Sequence, residues 1–102
     1  MVAAMATISG PVEGLAEISR MAGESVEGWL RGYEGYRGLI VFTDEEAQQS
    51  RVVTFWETAE AEAKARTGRG AMRDQIAAAA GMEVVDFGVY EVAVFEVPDD
   101  QT

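Results

Sequence analysis

Residues 51–58, Arg51-Val52-Val53-Thr54-Phe55-Trp56-Glu57-Thr58, pass from an extended apolar run into an acidic, alanine-rich segment, and this junction decides the fold. Val52, Val53, Phe55 and Trp56 are the β-branched and aromatic types that pack well on a pleated surface. Thr58 has the chemistry of a helix N-cap, because its hydroxyl can accept from a backbone N–H that the first turn leaves unpaired. Glu60 and Glu62 then place negative charge at the positive end of a helix dipole. The junction therefore predicts a strand over residues 50–57 and a helix from Thr58 to Ala80, with Gly68-Arg69-Gly70 breaking the helix and Gly81 closing it.

Upstream, Asp44 to Gln49 is a short polar connection, and Leu39-Ile40-Val41-Phe42-Thr43 reads as a strand antiparallel to the one after it. The preceding Gly32-to-Gly38 stretch reads as a loop. It is no dinucleotide fingerprint, since its glycine spacing is wrong and no strand leads into it. Before it, Leu15, Ile18, Ala22, Val26, Trp29 and Tyr33 recur at spacings of three and four, which predicts an amphipathic helix from Pro11 to about Leu30 or Arg31. Val2 to Ser9 reads as a first strand ended by Gly10-Pro11. Downstream of Gly81, a long final strand is expected from Glu83 to Val97, with Gly88 marking a bulge.

The order is β-α-β-β-α-β, which predicts an α+β, ferredoxin-like fold: a four-stranded antiparallel sheet with both helices on one face. One domain over residues 1–98 is expected, followed by a short acidic tail at 99–102. A sheet with one solvated face alternates apolar and polar residues along each strand. These strands do not. Leu39 and Val41 oppose Ile40 and Phe42, and Val52 and Trp56 oppose Val53 and Phe55. In the last strand Val85, Phe87, Val89, Ala93, Phe95 and Val97 are expected on one side, against Val84, Tyr90, Val92 and Val94 on the other. Both faces are apolar, and two helices cover only one.

Composition narrows the chemistry. Eighteen acidic against eight basic side chains give a net charge of −10, which argues against nucleic-acid partners. Half of the basic residues, Lys64, Arg66, Arg69 and Arg73, fall in one stretch. They read as a solvated helix face balancing Glu60, Glu62 and Asp74, with an anion site as the alternative. There is no Cys and no His, so disulfides, thiolate or histidine nucleophile systems, and the usual ligands for zinc or haem iron are excluded. No metal site and no cofactor are expected. No apolar run reaches the roughly 18 residues that suggest a membrane span, and Met1 to Ala6 lacks a basic leader region, so a cytoplasmic protein with no membrane partner is expected.

The Gly35-Tyr36-Arg37-Gly38-Leu39 lead-in to the second strand, and Trp56-Glu57-Thr58 followed by Glu60-Ala61, resemble the antibiotic biosynthesis monooxygenase (ABM) family of the dimeric α/β-barrel superfamily. The resemblance implies two ferredoxin-like protomers closing a barrel, each with a small-molecule pocket between sheet and helices. It also implies cofactor-independent oxygenation of polyphenolic substrates or haem degradation, though some members have no known activity. In the family's enzymes the pocket includes a Trp at the strand end and an Asn on the first strand, and the haem degraders add a His on the second helix. Trp56 matches the first, but the chain has neither Asn nor His. Haem degradation is therefore disfavoured. Two readings stand: a cofactor-independent monooxygenase acting on a small aromatic or polyphenolic substrate, and a non-catalytic dimer that binds a small apolar or aromatic ligand or has a structural role.

The pocket candidates follow from side-chain chemistry. Trp56 fits either as a pocket wall or as core. Trp29 and Tyr33, one helical turn apart, are expected to face it, or simply to complete the apolar stripe. Tyr36 and Tyr90 carry phenols able to hydrogen-bond a substrate, and Arg51 carries a charge able to steady an oxyanion. Glu45 and Glu46 lie in a polar turn and read as surface.

The doubly apolar sheet generates the first prediction. Covering one face with a second copy, at roughly 800 Å² per partner, brings tens of kcal/mol of gross apolar burial at about 25 cal/mol per Å², against an association cost of about 4–15 kcal/mol. The chain is therefore expected to sediment as a homodimer joined through its sheet faces. A stable folded monomer in dilute sedimentation runs would remove this expectation.

Overall fold

The decisive junction folds as a strand, β3 (Gln49–Trp56), joined through Glu57 and Thr58 to a helix, α2 (Ala59–Ala79), in a computed structural model that describes residues 1–10 and 13–98. Thr58 acts as the cap its chemistry suggests: its backbone is extended and its hydroxyl accepts from the Ala61 N–H at 3.0 Å. Around this pair stand β1 (Val2–Ser9), α1 (Leu15–Leu30), β2 (Tyr36–Asp44) and β4 (Glu83–Glu91). The strand order is β2-β3-β1-β4 and every pairing is antiparallel. This is the ferredoxin-like α+β fold expected from the element order.

Register decides which side chains meet the helices. Across β1 and β3, Val2 faces Trp56, Ala4 faces Thr54, Ala6 faces Val52 and Ile8 faces Ser50. Leu39 and Val41 of β2 and Phe87 and Val89 of β4 join that layer, opposite Thr54, Val52, Ala6 and Ala4 respectively. Ala4, Leu30, Trp56 and Ala65 form the buried centre, one residue each from β1, α1, β3 and α2. The reverse face carries Ile40, Phe42, Val53, Phe55 and Tyr90. There Ile40, Phe42 and Tyr90 keep 41, 53 and 51 % of their surface exposed. No helix of the described residues is long and apolar enough to cross a membrane.

Several boundaries depart from the expected ones, each for a local reason. The final strand stops at Glu91 rather than Val97. Its ladder partner β1 begins at Val2, opposite Glu91, and one further backbone bond follows, from the Val92 N–H to the Met1 carbonyl at 3.0 Å. The bulge lies at Val85, not at Gly88: Thr7 pairs with Asp86 and Ile8 with Val84, leaving Val85 unpaired and half exposed. Val85 thereby leaves the face of Phe87, which packs on the core cluster. Phe95 crosses over too, with its ring 5.2 Å from that of Phe55 on the reverse face.

α2 runs unbroken through Gly68-Arg69-Gly70. Gly68 serves close packing rather than a break, since a methyl there would push on the Tyr33 hydroxyl. β2 begins at Tyr36, three residues before Leu39, because a register shift accommodates Arg37 and places Tyr36 directly opposite Trp56. α1 starts at Leu15 after Gly14 in the left-handed region, with no side-chain cap. Pro11, expected to start that helix, and the acidic 99–102 tail lie outside the described residues.

Gly35 controls how the β2 lead-in meets α2. Its φ of +84° is left-handed, its carbonyl accepts from Glu57 N at 2.7 Å, and a methyl on it would collide with the Ala61 side chain. Gly35→Ala is expected to lower stability by about 2 kcal/mol or more, from left-handed strain plus overpacking. The shift in the urea unfolding midpoint at unchanged slope measures it.

Candidate functional site

Between Val2 and Ile8, the helix-facing side of β1 carries only methyl groups, Ala4 and Ala6, where a sheet packed tightly on two helices would carry larger side chains. The space they leave is not filled. An apolar cavity lies between the sheet and both helices, with about 100 Å³ of room inside and an open mouth. Its floor is Ala4, Ala6, Val52 and Phe87, and Trp29 and Met72 are among the helix residues facing them. The interior alone is smaller than typical ligand pockets, which run from about 300 to 1,000 Å³, so a polycyclic ligand would extend into the mouth.

Trp56 is fully buried beside this cavity rather than on its wall. Its indole N–H donates to the Thr54 hydroxyl at 2.8 Å, two residues back on the same strand face. Tyr36 and Tyr33 meet its ring edge-on, with centroids 5.7 and 6.2 Å away, and Trp29 meets Tyr33 in the same manner at 5.0 Å. Of the aromatic residues proposed from sequence, Trp29 lines the cavity, while Tyr33 and Tyr36 back it through Trp56. Tyr36 also lines a second, more open groove of about 720 Å³ between α1 and β2. Burial and the nearby Glu27 carboxylate push the Tyr36 phenol above its ordinary value, and Arg31 opposes them only in part, so it stays neutral. Tyr90 and Arg51 stand on the reverse face: Tyr90 lies over Gly88, and Arg51 is exposed with its guanidinium 3.4 Å from Gln49 Oε1.

The charged groups in and behind the cavity wall are ones expected from the sequence to lie on a solvated helix face. Glu62 and Arg69 are buried, not members of a solvated face. Arg69 donates to Glu62 Oε2 at 2.5 Å and lies over the Trp56 ring at 5.2 Å, and Arg66 grips the same carboxylate through Nε at 3.0 Å. Positions 62, 66, 69 and 73 recur at helical spacing on the stripe that also buries Ala65 and Ala77. That spacing was the available signal, but charge made the stripe read as surface. Ser19 Oγ donates to Ser50 Oγ at 3.2 Å, and Ser50 in turn donates to the Phe42 carbonyl at 3.2 Å, so these hydroxyls tie α1 to the β2–β3 hairpin.

Among the described residues the cavity lining has only two ionisable side chains, Arg69 and Arg73. Neither is a base at any physiological pH. Among the described residues no three His, Cys, Asp or Glu side chains are grouped to hold a metal ion.

Burial alone would push the Glu62 carboxyl up, but hydrogen bonds and charge from Arg66 and Arg69 outweigh it and hold the group below its usual range. A carboxyl depressed in the folded state stabilises above the ordinary carboxylate range, and that contribution is lost as pH falls through the depressed value. Glu62→Gln, which leaves Arg69 buried without its counter-charge, is expected to cost about 3 kcal/mol at pH 7. In urea unfolding the gap from wild type should narrow as pH drops below about 4.

No protein-family model matches the chain, and no curated protein sequence matches it. Solved structures do. A Deinococcus radiodurans protein proposed to be an antibiotic biosynthesis monooxygenase superposes with a TM-score of 0.70 at 16 % identity, over 98 % of this chain and 100 % of the other. SnoaB, a cofactor-independent oxygenase from Streptomyces nogalater, gives 0.68 at 12 % identity over 96 and 97 %. The heme-degrader MhuD from Mycobacterium tuberculosis gives 0.65 at 20 % identity over 95 and 100 %. At these identities the likeness is one of fold, and the chain has the fold of the ABM-like proteins over nearly its whole length.

Proposed function

We propose that the protein is a cofactor-independent oxygenase of small aromatic or polyphenolic molecules that works as a homodimer. The observation that carries this reading is the apolar cavity, whose only ionisable lining groups among the described residues are two arginines. Such a site has nothing to abstract a difficult proton, but it favours an anion that a sufficiently acidic substrate forms by itself. The likeness in fold to SnoaB supports the same chemistry. The exposed Ile40, Phe42 and Tyr90 on the reverse sheet face support the dimer.

The reaction suited to this lining begins with a hydroxylated aromatic substrate whose ring methylene is acidic. Loss of one methylene proton to solvent gives a delocalised carbanion. This passes an electron to dioxygen and recombines with it, forming a carbon–oxygen bond. The resulting peroxide anion takes up a proton to give a hydroperoxide, and cleavage of its O–O bond with loss of the second methylene hydrogen as a proton releases water and leaves a carbonyl. The sum is CH₂ plus O₂ to C=O plus H₂O, with dioxygen as the only co-reactant. The protein's part is to orient the ring plane, with Trp29 as wall, and to keep the reacting carbon away from bulk water.

The second reading is a dimer that binds an aromatic ligand without turning it over. The engagement of Ser19 and Ser50 with each other, which leaves the cavity few groups to direct a reaction, favours it. A panel of anthrone-type substrates in an oxygen electrode separates the two. The oxygenase reading expects uptake above the buffer rate that falls about tenfold or more in Trp29→Ala as orientation is lost. Ligand binding without uptake leaves only the second reading.

A further inference from the structure

In a chain with eight basic residues and a net charge of −10, three arginines converge on one phenylalanine ring. The guanidinium carbons of Arg66, Arg69 and Arg73 lie 5.9, 5.9 and 5.2 Å from the Phe87 centroid. Against them stand two carboxylates, the buried Glu62 and the exposed Asp74, and the three cations differ in how far they are engaged. Arg66 is half exposed, does not line the cavity and grips Glu62. Arg69 is fully engaged by the Glu62 carboxylate, the Glu62 backbone carbonyl at 3.5 Å and the Trp56 ring. Among the described residues Arg73 has only a long polar contact, from Nε to Asp74 Oδ1 at 3.4 Å, and its two terminal nitrogens make no hydrogen bond there. It is mostly buried, with 22 % of its side chain exposed, it lines the cavity, and Phe87 supports its plane.

We propose that Arg73 is the anion-binding residue of the cavity, and that the cavity thereby selects aromatic molecules carrying an ionised oxygen beside the ring over their neutral counterparts. This rests on the reading of the cavity as a ligand site and names the ligand's charge. A guanidinium presents paired N–H donors to an oxyanion, and the low polarity of the surrounding walls strengthens the contact. Arg69, neutralised by Glu62, is a positioning residue: it ties the buried carboxylate to Trp56 and so leaves Arg73 as the uncommitted charge.

Two fluorescent probes that share one ring system test this, 8-anilinonaphthalene-1-sulfonate and the neutral N-phenyl-1-naphthylamine. Each is titrated into the wild-type protein, Arg73→Gln, Arg73→Lys and Arg51→Gln, with far-UV circular dichroism confirming the fold. Arg73→Gln is expected to weaken the sulfonate by about tenfold while the neutral probe changes by less than about twofold, as for loss of one charge-assisted contact. Arg73→Lys should keep most of the sulfonate affinity, and Arg51→Gln, on the reverse face, should alter neither.

Equal weakening of both probes in Arg73→Gln would mean that Arg73 serves only to pack Phe87, and it overturns the proposal. So does a sulfonate affinity unchanged in Arg73→Gln, or one lost in Arg51→Gln, which would place the probe on the open sheet face. If the wild type binds neither probe, the cavity reading fails and the proposal falls with it. If the charge preference depends on Arg73 but no substrate drives oxygen uptake, the proposal stands and the oxygenase reading does not.

Discussion

The arrangement depends on one buried contact, the Arg69 guanidinium lying over the Trp56 indole while Glu62 holds it from behind. An unpaired charge at that depth would cost several kcal/mol, so the pair persists only with both partners present. With both in place, α2 is clamped to the end of β3. The Trp56 ring is set between that cation, Tyr33 and Tyr36, and its N–H is satisfied by Thr54. The indole thus becomes the fixed end of the layer between sheet and helices. Everything beyond it toward Ser50 is left to small or flexible side chains, and that is where the cavity opens.

The two faces of the sheet solve opposite problems. On the helix side, Ala4 and Ala6 are too small to fill the gap beneath α1 and α2, and the result is internal space. On the reverse side, Ile40, Phe42 and Tyr90 stay about half exposed among the described residues, while Phe95 of the 92–98 segment lies against Phe55. A cavity needs rigid walls, and the wall it shares with that open face is the sheet itself. A second copy against the reverse face would therefore bury the exposed surface and stiffen the floor of the site together.

Legibility differed sharply between the fold and the site. Thr58, Gly81 and the two-sided apolar strands are local signals, readable because capping, left-handed backbone and period-two alternation act over a few residues. Gly68 misled for a complementary reason. A glycine in a helix reads as a break unless one knows that Tyr33, 35 residues earlier, lies against it. Likewise the end of β4 at Glu91 is set by where β1 begins, and no property of Val92 to Val97 announces it.

The β-α-β-β-α-β order, the absence of histidine and cysteine, and the surplus of apolar residues on both strand faces belong to the sequence alone, since they follow from residue type and short-range periodicity. Which charges are buried was a tertiary decision. Glu62, Arg69 and Arg73 are ordinary helix-surface residues until α2 is laid over Trp56 and Phe87, and only that packing turns a polar face into the charged end of an apolar cavity. The same packing placed Trp56 behind the cavity rather than on its wall. Its place in the strand was readable from the residues around it, but what its ring touches depends on elements from four other parts of the chain.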